Sequence, residues 1–218
     1  MAEQRLDRAT RSVVRSLSLV RSGAPAIMMA NVVEPLPAPS RFAGCPAPVL
    51  LPQLFAPRAR WSASAAGVVL ADQPEYLISR LDADGRRIGR IANPVPLRRV
   101  TRAEALDEVQ RIPAGALAVR DCGVPPEALA DAAGSATVHQ AIGELALAPD
   151  GVIWVRRAGT VNGPERIDLY DSDGAPLGWL PSTTPFPAAF VNAESYVTLR
   201  VAEDGQVDPE WVRIRRPE

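Results

Sequence analysis

Side chains able to do chemistry are few in this chain, and they are scattered. Its one histidine, His139, has no second imidazole with which to build a multi-His metal site or complete a Ser-His-Asp arrangement. A lone imidazole without an evident partner reads as a surface or capping residue. The acidic pairs Asp82/Asp84 and Asp171/Asp173 superficially resemble Ca²⁺ loops, but they lack the Asp-x-Asp-x-Asp-Gly spacing and the distal Glu. They read instead as Asp side chains capping their own turns. Arg156-Arg157 and Arg213-Arg215-Arg216 are basic without interleaved aromatics, and solvated strand edges are expected for them. Cys45 and Cys122 stand far apart in loop-like segments. An oxidising compartment would permit a disulfide, and the reading adopted is two unpaired small side chains. There is no Gly-rich phosphate loop with a following Lys, no Gly-x-Ser-x-Gly elbow and no Cys pair at metal-ligand spacing. The sequence thus nominates no catalytic, cofactor-binding or metal residue, calls for no cofactor, and leaves the binding residues unassigned.

What the chain does write, repeatedly, is a hairpin. The phrase from Ile78 through Asp82-Ala83-Asp84-Gly85 to Gly89 recurs from Ile167 through Asp171-Ser172-Asp173-Gly174 to Gly178. An apolar-alternating run, an Asp-x-Asp-Gly turn and a second run describe a β-hairpin, and its repetition marks an array of small sheets. Residues 1–22 resemble the second half of the same phrase. The competing reading there is a short amphipathic helix with arginines at 5, 8, 11 and 15, and the strand is preferred. The run 26–33 reads as a further strand inside a Pro- and Ala-rich stretch.

One segment breaks the pattern. Thr101-Arg102-Ala103-Glu104 has capping-box spacing, and Leu106, Val109 and Ile112 give an apolar stripe before Pro113. Pro125-Pro126 opens a second helix. The organisation expected is a partial N-terminal blade and Pro-rich loop over 1–57, a blade over 58–98, a helical insertion over 99–138, a blade over 139–181 and a C-terminal blade over 182–218.

Composition sets outer limits. Of 218 residues, 47% are apolar and 22% charged, as in ordinary globular proteins. The net charge of −1 argues against a broad nucleic-acid footprint. Twenty-two prolines cut the chain into short elements, which favours strands over long helices. No run approaches the roughly 20 apolar residues of a membrane helix, and the first residues lack the apolar core of a secretory signal, so a soluble chain without a membrane span is expected.

The phrases Phe55-Ala56-Pro57-Arg58-Ala59-Arg60-Trp61, Pro149-Asp150-Gly151-Val152-Ile153-Trp154-Val155-Arg156-Arg157 and Ile167 to Gly174 resemble six-bladed β-propellers of the NHL-like kind. The resemblance covers roughly residues 55–216. It implies an all-β fold of stacked four-stranded blades, with Trp61 and Trp154 packed in the core between them. It also implies a bacterial protein of a type often exported. Repeats of this kind take roughly 40–45 residues, so outside the insertion there is room for about four blades. The expectation is an all-β partial β-propeller with one helical insertion, truncated at its N-terminus, whose open blade faces favour self-association. A non-catalytic binding module for a protein or small ligand follows best. The alternatives are a propeller enzyme of lactonase or lyase type with a metal in its channel, and a gene fragment without independent function.

Overall fold

The computed structural model describes residues 2–7, 12–19, 27–36, 39–82, 84–112, 122–158, 165–202 and 205–214. Strands β1 (Ala2–Asp7), β2 (Ser12–Leu19) and β3 (Ile27–Pro35) form an antiparallel sheet in sequence order. Within the segment 1–22 the described residues 2–7 and 12–19 are therefore strand, as preferred above, paired through to Leu6↔Val13 and Asp7↔Ser12. A short pair, β4 (Pro39–Ser40) and β5 (Val49–Leu50), follows.

Two four-stranded meanders carry the repeated phrase. The first holds β6 (Arg60–Ser64), β7 (Gly67–Ala71), β8 (Leu77–Leu81) and β9 (Arg87–Ala92). Between the two meanders run helices α1 (Arg102–Arg111) and α2 (Pro126–Ala133). The second meander holds β10 (Ile142–Leu147), β11 (Ile153–Arg157), β12 (Arg166–Tyr170) and β13 (Pro176–Pro181). A last sheet has three strands, β14 (Ala189–Asn192), β15 (Ser195–Val201) and β16 (Val207–Arg213).

The two copies of the hairpin are the same structure. Leu81 pairs with Arg87 and Tyr170 with Pro176, and in each copy the register shifts just before that pair. Gly85 and Gly174 both take left-handed backbone, at φ 80° and 88°. Each turn is closed alike: the Asp82 N–H donates to the Arg86 carbonyl at 2.9 Å and the Asp171 N–H to the Ala175 carbonyl at 2.9 Å. The leading aspartates cap these turns as expected. Asp82 Oδ1 accepts from the Asp84 and Arg86 amides, both at 2.9 Å, and Asp171 Oδ1 accepts from Asp173 at 2.9 Å and Ala175 at 2.8 Å. The same backbone turn recurs at Ala148–Val152 and Ala202–Gln206, where an alanine stands in the aspartate's place.

Strand alternation turns these meanders into a stack. On β11, Ile153 and Val155 face the first meander and join Val69, Ile78, Ile91, Leu145 and Leu147 in one core. Trp154, one residue out of phase, faces the opposite way and packs with Ala146, Ile167 and Tyr196, and with Phe190 and Val212 of the last sheet. A sheet buried on both faces must be apolar at successive positions, which is how Ile153-Trp154-Val155 reads. The first and second meanders are also tied by polar contacts along β6 and β10. The Ser64 hydroxyl donates to the Ala148 carbonyl at 3.1 Å, and the Leu147 amide donates to Ser62 Oγ at 3.0 Å. The protein is thus all-β with one short helical excursion, its antiparallel sheets stacked propeller-like without closing into a barrel. Among the described residues no helix is long and apolar enough to cross a membrane.

The helices leave and rejoin the array at one place. The Val100 amide donates to the Thr137 carbonyl at 3.2 Å and the His139 amide to the Arg98 carbonyl at 2.9 Å, so the two ends of the excursion pair. Its apolar stripe, Ala105 and Val109 with Leu106 and Ile112, packs on Leu129 and Ala130 of α2 and on Leu51 and Leu54. Pro113, expected to stop α1, lies outside the described residues.

Two expectations are corrected here. Cys45 and Cys122 form a disulfide, their Cα atoms 5.2 Å apart across 77 positions of sequence. Cys45 packs on the core under the helices, which also takes Val124 two residues from Cys122, and in the chain-entropy model closing a loop of that length stabilises by about 4.5 kcal/mol. Trp61 is the second. It stands 47% exposed rather than in a core, because Ser62 and Ser64 are the β6 residues turned to the second meander and Trp61, one residue out of phase with them in the alternation, points to the other face. Trp154 is buried as expected.

Candidate functional site

A buried carboxylate at the first inter-sheet interface is the strongest concentration of ionisable groups. Asp168, 4% exposed, sits on β12 on the side facing the first meander. The Arg157 Nε donates to its Oδ2, the Arg166 Nε donates to Oδ1 at 2.8 Å, and the Tyr76 hydroxyl donates to Oδ2 at 2.8 Å. Tyr170 in turn donates to the Tyr76 oxygen at 3.1 Å. Burial, reinforced by the hydrogen bond from Tyr170, pushes the Tyr76 phenol far above its ordinary pKa, so it stays a neutral donor. The Arg157 guanidinium also lies over the Tyr76 ring, 5.3 Å from its centroid. Three donors from two sheets converge on one carboxylate, an arrangement that clamps the sheets together and leaves the carboxylate committed.

The second cluster surrounds the start of α1. Glu104 completes the capping box foreseen in the sequence: its Oε2 accepts from the Thr101 amide and hydroxyl, both at 2.9 Å, and the Thr101 hydroxyl accepts from the Glu104 amide at 3.3 Å. Arg98 pairs with its other oxygen. That guanidinium and the Thr101 amide hold the Glu104 carboxyl down at about 2. His139 meets the same carboxylate, Nε2 to Oε2 at 3.3 Å, and its ring lies edge-on to Phe55 at 4.8 Å. His139 is therefore a residue of the cap, as its isolation suggested. Phe55 itself holds left-handed backbone at φ 56°, a strained position for an aromatic residue.

A cleft of about 510 Å³ opens between the second meander and the last sheet. Glu144, Arg156, Thr184, Phe186, Arg200 and Glu210 are among the residues lining it. Arg156 is fully engaged there. It donates to Glu144 at 2.6 Å and to the Ser182 and Thr184 carbonyls at 2.9 and 3.3 Å, and lies 5.2 Å from the Phe186 ring centroid.

The remaining feature is apolar. On the side of the last sheet turned away from the second meander, cross-strand pairs run Val197↔Trp211, Leu199↔Pro209 and Val201↔Val207. Trp211 is 62% exposed, Leu199 57%, Val201 68% and Val207 54%. The opposite side of the same strands buries Tyr196 and Thr198.

Sequence reasoning missed Asp168 and misplaced its partner. Arg157 is not on a solvated edge: β11 is a central strand, and the residue is buried against Asp168. Arg156 is likewise half-buried on that strand against Glu144. Arg213 is exposed, while Arg215 and Arg216 lie outside the described residues. The available signal was a difference between the repeats, since Asp168 occupies the position that Ser79 holds in the first copy. Among the described residues no three His, Cys, Asp or Glu side chains are grouped as metal ligands. No protein-family model matches the chain, and no curated protein matches it. Its class is set by its strands: an all-β protein built as a propeller-like stack of antiparallel sheets.

Proposed function

We propose that the protein is a non-catalytic β-propeller-type binding module of the NHL-like kind, engaging a protein partner through an open sheet face. The observation that carries this reading is the apolar ladder on the last sheet, because exposed apolar patches rimmed by polar residues mark interaction sites. The ionisable clusters support it. The Asp168 and Glu104 carboxylates spend their acceptor positions on arginines, tyrosine and helix-capping groups, which leaves neither as a base aimed at a substrate. The competing propeller enzyme requires a resident metal. Elemental analysis of the purified protein decides between them: substoichiometric Ca²⁺ and Zn²⁺ are expected, and one equivalent of either, with hydrolysis of a lactone lost on chelation, would overturn the binding-module reading.

A further inference from the structure

The open side of the last sheet is built in a way that selects its partner. It presents Val197, Leu199, Val201, Val207, Pro209 and Trp211, all from alternate positions of β15 and β16. Its one charged member is Arg213, at the Ser195 end of the ladder. A strongly acidic or basic partner would find little to pair with across such a surface, whereas an equally apolar face would bury it without stranding a charge.

Edge-to-edge addition along β16 is disfavoured. Strand β16 is an edge of its sheet and carries Pro209 as its third residue, where proline removes a ladder donor. Asp208 and Glu210 flank that proline and add charge to the same strand, a further obstacle to an incoming strand. What remains open is face-to-face packing, in which two sheets stack about 10 Å apart.

We infer that this face pairs with the same face of a second copy of the chain, related by a two-fold axis. The inference rests on the binding-module reading and names its partner. An isologous contact needs a self-complementary patch, and a ladder of medium-sized apolar residues closed by one large ring at Trp211 meets that need. A two-fold arrangement with the hairpins running in opposite directions sets the two Arg213 side chains at opposite ends, so like charges do not meet. Leu199, Val201, Val207 and Trp211 are each more than half exposed, and a patch of this few side chains is smaller than the roughly 800 Å² per partner of a standard interface. The dimer is accordingly concentration-dependent rather than obligate.

Sedimentation velocity on the full chain tests this from low to high micromolar concentration. The wild-type protein is expected to move from monomer to dimer as concentration rises and to stop at dimer. Val201→Lys and Trp211→Lys, both at exposed positions, are each expected to leave a monomer with an unchanged circular-dichroism spectrum. Ile88→Lys, at a 53% exposed position on β9, is the control that should still dimerise. A wild-type chain that is monomeric throughout would overturn the inference and leave the face to a different protein or a further sheet. Dimerisation that survives both lysines, or growth past the dimer into larger species, would overturn it equally. None of these results depends on metal content, so a failed dimer and a failed binding-module reading remain separable.

Discussion

At the residue scale, the Asp168 charge is buried, and two of its partners, Arg157 and Tyr76, are buried with it while Arg166 is half-buried. Replacing Asp168 with Ala would leave the Arg157 and Arg166 guanidinium groups facing one another beside the Tyr76 hydroxyl. Breaking a buried ion pair from one side costs roughly 3–5 kcal/mol. Tyr76→Phe removes one donor to Asp168 and the acceptor of the Tyr170 hydroxyl but leaves both arginines paired, for a loss of about 1–3 kcal/mol. Urea denaturation should rank the two variants in that order. Equal losses would mean that the arginines find other partners. Glycines offer a second comparison. Gly67 stands at φ 124°, and a methyl group there would collide with the Leu81 carbonyl oxygen, whereas at Gly205, φ 81°, a methyl group meets open space. Gly205→Ala should cost only the left-handed strain of about 1–2 kcal/mol. Gly67→Ala must in addition push two strands apart, so its denaturation midpoint should fall further.

At the scale of elements, the start of α1 is held by a titrating group. Glu104 has its pKa lowered from 4.5 to about 2 by Arg98 and the Thr101 amide. A depressed carboxyl contributes stability that is fully present above the unfolded value and is lost as pH falls through the folded one. The cap should therefore hold down to about pH 4.5 and loosen toward about pH 2. Because Glu104 is partly exposed and its ion pair is screened, the change is modest. Comparing thermal midpoints of wild type and Glu104→Gln from pH 6 downward checks this. The gap between them should narrow across that window, and a constant gap would place the stabilisation outside the carboxylate.

For the whole molecule, stability resides in the interfaces between sheets, since each meander alone would expose its faces. Trp154 fills the second interface, edge-on to Tyr196 at 5.6 Å and Phe190 at 6.1 Å. Trp154→Ala removes the largest side chain between the second meander and the last sheet, and roughly 3–5 kcal/mol is the expected cost. Cooperativity is the more telling readout. If the sheets fold as one unit, the variant melts in a single transition at lower temperature. A separate early transition would show that the last sheet unfolds on its own, as nearest-neighbour arrays can.

The sequence by itself determined the local pieces, because local chemistry is enough to specify them. The aspartates and glycines of the repeated phrase fix the turns at Asp82–Arg86 and Asp171–Ala175 through their own backbone bonds. Thr101 and Glu104 fix the start of α1, and alternation along β10 to β12 fixes which side chains face which core. The stacking, and everything that depends on it, was decided only in three dimensions. Asp168 and Tyr76 are 92 positions apart, Cys45 and Cys122 are 77, and no spacing rule joins residues whose neighbours are set by which sheet packs on which. Trp61 and Trp154 look alike in sequence, each a tryptophan on a strand, yet one stands exposed and the other is buried. That difference belongs to the tertiary structure, because a strand's alternation names two faces and only its packing partners say which of them water reaches.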